Sequence, residues 1–140
     1  MKIAVDFDGT IVDDCYPFVG AEKPYAIAVL KKLKAENHKL ILWTVREGKT
    51  LEDAVNFCRS RGLEFYAVNA NSPNEQIGDQ HYSRKLKVSI FIDDRTLHEL
   101  PDWQDIYKMI QNRIQKREKQ KSKENENEKP KSFWERLLRR

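Results

Sequence analysis

The chain has 140 residues, enough for one domain and a tail, and its 39% hydrophobic content and mean hydropathy of −0.78 are low for a chain packed throughout. The net charge of +4 is unevenly placed: residues 1–111 carry 15 Lys and Arg against 17 Asp and Glu, whereas residues 112–140 carry 11 against 5. The basic character therefore belongs to the tail, which removes the main support for nucleic-acid binding by the body of the chain. Cys15 and Cys58 are too few and too far apart for a disulfide framework or a zinc site. Cys58 is expected to pack as a small apolar group and Cys15 to lie in a polar loop. No apolar run is long enough to span a bilayer, and Met1 leads directly into a strand rather than a signal peptide. These features lead to the expectation of a soluble, cytoplasmic protein with no membrane partner.

The first predicted strand, Ile3 to Val5, ends in Asp6 and Asp8 on either side of Phe7, followed by Gly9 and Thr10. In an extended chain the two acids would share a side, and Gly9 would let the backbone turn tightly beside a ligand. Residues 11–23 have no sustained period and read as a loop too short to be a domain. Pro24 suits the first position of a helix carrying Ala26, Val29, Leu30 and Leu33, which Asn37 can end in a left-handed conformation. Lys39 to Thr44 is a second buried strand. Thr50 and Asp53 resemble a capping signal for a second helix with Leu51, Ala54, Val55 and Cys58 on its buried face, closed by Gly62.

Leu63 to Val68 is a third strand, Asn69 to Tyr82 is mostly loop, and Val88 to Ile92 is a fourth strand ending in Asp93 and Asp94. Asp102 is the expected cap of a third helix, with Trp103, Ile106, Tyr107, Ile110 and Ile114 as its packing stripe. Beyond it the chain has almost nothing apolar to bury and either continues as a solvated helix or is disordered; Pro130 interrupts it, and residues 133–140 could form short amphipathic turns. The alternation of strands and helices predicts an α/β fold with a parallel sheet and right-handed crossovers, organised as a domain over 1–111 and a basic tail over 112–140.

Parallel strands bring their carboxyl ends to one edge of the sheet, where ligands bind. Asp6, Asp8, Asp93 and Asp94 would meet there, a repulsion that makes sense around a cation, and hard oxygen ligands suit Mg²⁺. Thr44, through its hydroxyl and backbone N–H, can donate to a phosphoryl oxygen, and Lys85 can neutralise charge on it. Such a set suits phosphoryl transfer.

The order DFDGT, LWT, a Lys ahead of an apolar strand, then FIDD resembles the haloacid dehalogenase (HAD) superfamily over about residues 1–100. The resemblance implies a Rossmann-like parallel sheet of strand order 3-2-1-4 with no cap domain, and Mg²⁺-dependent phosphatase activity through an aspartyl-phosphate. It makes Asp6 the nucleophile and Asp8 the general acid/base, with the Asp8 carbonyl also on the metal. Thr44 becomes the phosphate ligand, Lys85 the third-motif lysine in preference to Lys87, and Asp93 and Asp94 the metal-binding acids.

The shortness of both candidate insertion points leaves no room for a cap. An open site admits either a small phosphorylated molecule or an exposed macromolecular phosphate. Asp13, Asp14, Tyr16 and Phe18 would line the nearest loop, and Arg46 and Arg95 either face the site or form surface salt bridges. The rival expectation is a non-catalytic module of the same fold that engages nucleic acid or a protein through the basic tail. A signalling receiver domain fails on order, because its Lys follows its acids. Substrate and oligomeric state are not legible here.

Overall fold

The structure, a computed structural model, describes residues 1–127. Strand β1, Lys2–Val5, is built from residues whose side chains are buried on both faces, Ile3, Ala4 and Val5 being at most 1% exposed. Burial of both faces is what a central parallel strand requires. β1 pairs in parallel with β2, Lys39–Leu42, from Lys2 opposite Lys39 to Val5 opposite Leu42. On its other side it pairs in parallel with β4, Ile90–Ile92, from Ile3 opposite Ile90 to Val5 opposite Ile92. The two-residue β3, Ala67–Val68, adds to the outer side of β2, so the order is β3-β2-β1-β4, as the resemblance implies. Its brevity suits an edge strand, which would otherwise offer unpaired backbone groups.

Helices α1, Ala26–Ala35, and α2, Gly48–Ser60, supply the crossovers. α1 buries Ala26, Ile27, Leu30 and Leu33, and α2 buries Ala54 and Cys58, whose thiol is pushed up to about 12 by burial. Cys15 is exposed, as expected. Asn37 takes a left-handed φ of 67° after α1, and Gly62 one of 80° after α2, so both stop signals act where the sequence puts them. A third helix, α3, runs over Trp103–Asn127, directly after Asp102.

Several expected boundaries move. Pro24 does not open α1; Tyr25, at φ 65°, precedes it, and the Glu22 carboxylate accepts the Ile27 N–H at 3.0 Å in place of a local cap. Thr50 does not cap α2, which begins two residues earlier after the extended Glu47; its hydroxyl donates back to the Glu47 carbonyl at 2.8 Å. Residues 63–66 are not in β3, because the chain uses them to travel from α2 to the sheet edge. Lys87 is held by a loop, its N–H donating to Asn71 Oδ1 at 2.6 Å, so β4 starts only at Ile90.

Residues 11–23 form no domain: Val12 bridges Glu22, and Asp13 N–H donates to Ala21 O at 2.8 Å, closing a small hairpin-like loop. Gly20 belongs there because a Cβ would collide with the Asp13 carbonyl. The described residues show no cap domain.

The chain divides into two compact units, Met1–Asp105 and one beginning at Ile106. The expected boundary at 111 follows the change in charge balance along the sequence, whereas the division into compact units falls between Asp105 and Ile106. In the second unit the helix continues to Asn127, with residues 115–126 exposed. The expectation for residues 133–140 lies outside the described residues. No helix among those described is long and apolar enough to cross a membrane.

Candidate phosphoryl-transfer site

The register of β1 against β4 decides which acids meet. Val5 lies opposite Ile92, so Asp6 and Asp93 leave adjacent strands at the same level, and Asp6 N–H continues the ladder by donating to Ile92 O at 2.9 Å. Carboxylate oxygens of Asp6, Asp93 and Asp94 all lie within 4.8 Å of one another, each half-buried. Thr10, fully buried, sits between them: its Oγ1 is 3.2 Å from Asp6 Oδ2 and 3.2 Å from Asp94 Oδ1, and it accepts the Asp94 N–H at 3.1 Å. The backbone turns at Gly9, where φ is 79° and a Cβ would strike the Asp94 carboxylate, so no other residue permits this approach. Burial, a hydrogen bond with Asp94 and the charges of Asp93 and Asp94 push the Asp6 carboxyl up to about 7, against a smaller opposing pull from the Phe7 backbone.

Asp8 is not in that cluster. Its carboxylate is clasped by Arg46, Nε to Oδ2 at 2.7 Å and a terminal nitrogen to Oδ1 at 2.7 Å. Arg46 is 1% exposed and also donates to the carbonyls of Pro17, Phe18 and Thr50. Its guanidinium lies 5.1 Å from the Phe7 ring centroid and 5.3 Å from that of Tyr16, and the Asp8 hydrogen bonds hold its pKa above the ordinary value. The expectation of a surface salt bridge is therefore wrong for Arg46. A planar fork with five donors can satisfy a carboxylate and three carbonyls at once, which makes full burial tolerable.

A cleft of about 430 Å³ opens at this edge, walled by Asp6, Asp8, Asp14, Tyr16, Trp43, Thr44, Val45, Asp93 and Arg95. Thr44 is thus where the sequence puts it, but its N–H is not available to a ligand: it donates to Asn69 Oδ1 at 2.8 Å. Its Oγ1 accepts the Arg46 N–H at 3.2 Å, which leaves the hydroxyl proton to be donated. Asp14 and Tyr16 line the cleft as expected. Asp13 and Phe18 do not; Asp13 pairs with Lys23 at 3.5 Å, and Phe18 is 77% exposed.

Lys85 is exposed and is not among the walls, where the cation is Arg95. Lys87 points elsewhere, donating to His81 O at 2.7 Å. Two residues of the site escaped the sequence reading. Thr10 stands in the DFDGT motif without an assigned role, and its role depends on Asp94 arriving from far along the chain. Asn69 has a left-handed φ of 51° at the end of β3, and only its place in a strand-end loop hinted at function.

The chain is similar to a conserved protein from Bacteroides thetaiotaomicron of known structure, with 55% identity over 81% of this chain and 91% of that one and a TM-score of 0.76. No protein-family model matches the chain, and neither does any curated protein.

Proposed function

We propose, from the premise that this chain belongs to the same family as the conserved Bacteroides thetaiotaomicron protein, that it is a Mg²⁺-dependent phosphohydrolase of the HAD type. The observation that carries this reading is the convergence of Asp6, Asp93 and Asp94 at the carboxyl ends of β1 and β4, with Asp6 and Asp93 lining a cleft that Thr44 also lines. The donor set fits a hard divalent cation: three carboxylates lie close together, and burial first, then the hydrogen bond with Asp94 and the neighbouring negative charges, raises Asp6 toward neutrality when no positive charge joins them. Asp6, Asp93 and Asp94, with the Asp8 carbonyl, would hold Mg²⁺. When bound it neutralises these acids and polarises a phosphoryl oxygen.

In this reading an Asp6 oxygen attacks phosphorus, the bond from phosphorus to the ester oxygen breaks, and the leaving oxygen takes a proton from Asp8. Water then attacks the aspartyl-phosphate, Asp8 recovers a proton from it, and phosphate departs with Asp6 restored. Arg46 occupies one direction on each Asp8 oxygen and so orients the acid/base, a residue that lines the cleft. The Thr44 hydroxyl donates to a phosphoryl oxygen. Arg95 supplies positive charge in the cleft wall, and the role of Lys85 rests on the order of the motifs.

Purified protein with Mg²⁺ is expected to release phosphate from a generic aryl phosphate, and Asp6→Asn is expected to abolish that release. Full activity in the Asp6→Asn protein would refute the mechanism.

A further inference from the structure

Trp43 walls two cavities. One is the acidic cleft; the other is a hollow of about 410 Å³ whose lining includes Trp43, Asn69, Ile77, Tyr82, Arg84 and Leu86. The inner side of Trp43 is anchored, since it packs with Leu86 against the core formed by Ala4, Ile41 and Ala67. Across the hollow, Ile77 is 88% exposed and Tyr82 37% exposed, so an aromatic face and a branched aliphatic side chain are presented to whatever enters. Asn69 joins the two cavities chemically: it lines the second and accepts the Thr44 N–H that lines the first.

We propose that this hollow is a leaving-group subsite that takes the base of a nucleoside 5′-monophosphate while its phosphate occupies the acidic cleft, an inference that rests on the phosphohydrolase reading. Two aromatic side chains offer stacking surface to a planar heterocycle, and every base has a π-face, so such a platform is tolerant of sequence. Asn69, Glu75, Ser83 and Arg84 add hydrogen-bonding and charged groups beside the stack, so the walls divide evenly between apolar and polar residues, the polar ones able to meet the edge of a base. The cleft and the hollow share Trp43 as a wall, and the ribose of a nucleotide would join a phosphate in the one to a base in the other. Hydrolysis then yields the nucleoside, its 5′ oxygen protonated as the phosphorus–oxygen bond breaks, and inorganic phosphate from water.

The test compares adenosine and uridine 5′-monophosphates with ribose 5-phosphate, which has the same phosphate and sugar without a base, on the full chain with Mg²⁺. The expected result is a preference of about tenfold or more in kcat/KM for the nucleotides, with Tyr82→Ala raising their KM about tenfold and leaving ribose 5-phosphate unchanged. Ile77→Ala, at an exposed position, serves as a second variant, and circular dichroism confirms that both fold. Equal efficiency with ribose 5-phosphate, or a Tyr82→Ala effect common to all three substrates, overturns the subsite and leaves the phosphohydrolase intact. Titration calorimetry of adenosine 5′-monophosphate separates the two ideas. Binding weakened by Tyr82→Ala without phosphate release from any ester supports the subsite and overturns the hydrolase, and no binding with turnover of other esters does the reverse.

Discussion

Thr10 has one hydroxyl proton and two carboxylates within reach, and it already accepts the Asp94 N–H. It can therefore donate to only one acid at a time. Burial first, then the hydrogen bond with Asp94 and the charges of Asp93 and Asp94, raises the Asp6 carboxyl from 3.8 to about 7. The folded protein binds a proton there that the unfolded chain releases near pH 4, so the associated stability is full below that pH and is lost as pH rises through about 7. Metal-free protein is expected to lose thermal stability between about pH 4 and pH 7, measured as Tm in the presence of a chelator. Asp6→Asn is expected to flatten the profile, because an amide does not titrate. The carboxylates themselves were legible in the sequence because each directly follows an apolar strand. The use of Thr10 was not, since it is defined by residue 94 rather than by its neighbours.

At the scale of elements, the strand ends were legible and the joints between them were not. Alternation of apolar runs with helical spacing predicts the parallel sheet, and the stop signals at Asn37 and Gly62 act locally, so the sequence displays them. The starts of α1 and α2 are not marked by the usual capping side chains: α1 draws on Glu22 from outside the capping position, and α2 follows an extended Glu47 whose side chain makes no cap hydrogen bond, neither of which local motifs show. The same holds for Arg46. It fastens the turn after β1, the loop at Pro17 and Phe18, and the beginning of α2 at Thr50 to a single guanidinium. Arg46→Met leaves the mostly buried Asp8 carboxylate without its counter-charge, and a loss of about 3–5 kcal/mol in unfolding free energy is expected from urea titration. Arg46→Lys restores charge without the two-pronged geometry, so it should recover only part of that loss.

For the molecule as a whole, the chain divides into two compact units, the second beginning at Ile106. The first unit, Met1–Asp105, holds every residue of the proposed site, whereas residues 115–126 are exposed helix rich in Lys and Glu. Removing residues 115–140 is expected to change kcat/KM on a small aryl phosphate by less than about twofold, since every residue of the proposed site lies in the first unit. An RNA or DNA affinity that falls steeply with salt and disappears on that truncation, with no turnover on a panel of phosphates, would favour the binding-module reading instead. The order β3-β2-β1-β4 has a further consequence for how the protein comes into being. The first-made of the four strands takes its final place between partners made later, and its last ladder, to Ile90–Ile92, closes nearly the whole unit into one loop. Long loop closures raise the entropic barrier to folding. Asp6 gains Asp93 and Asp94 only at that closing step, so a nascent or half-assembled chain carries the proposed nucleophile without the acids proposed to hold its metal, and the proposed activity would be withheld until the sheet is complete.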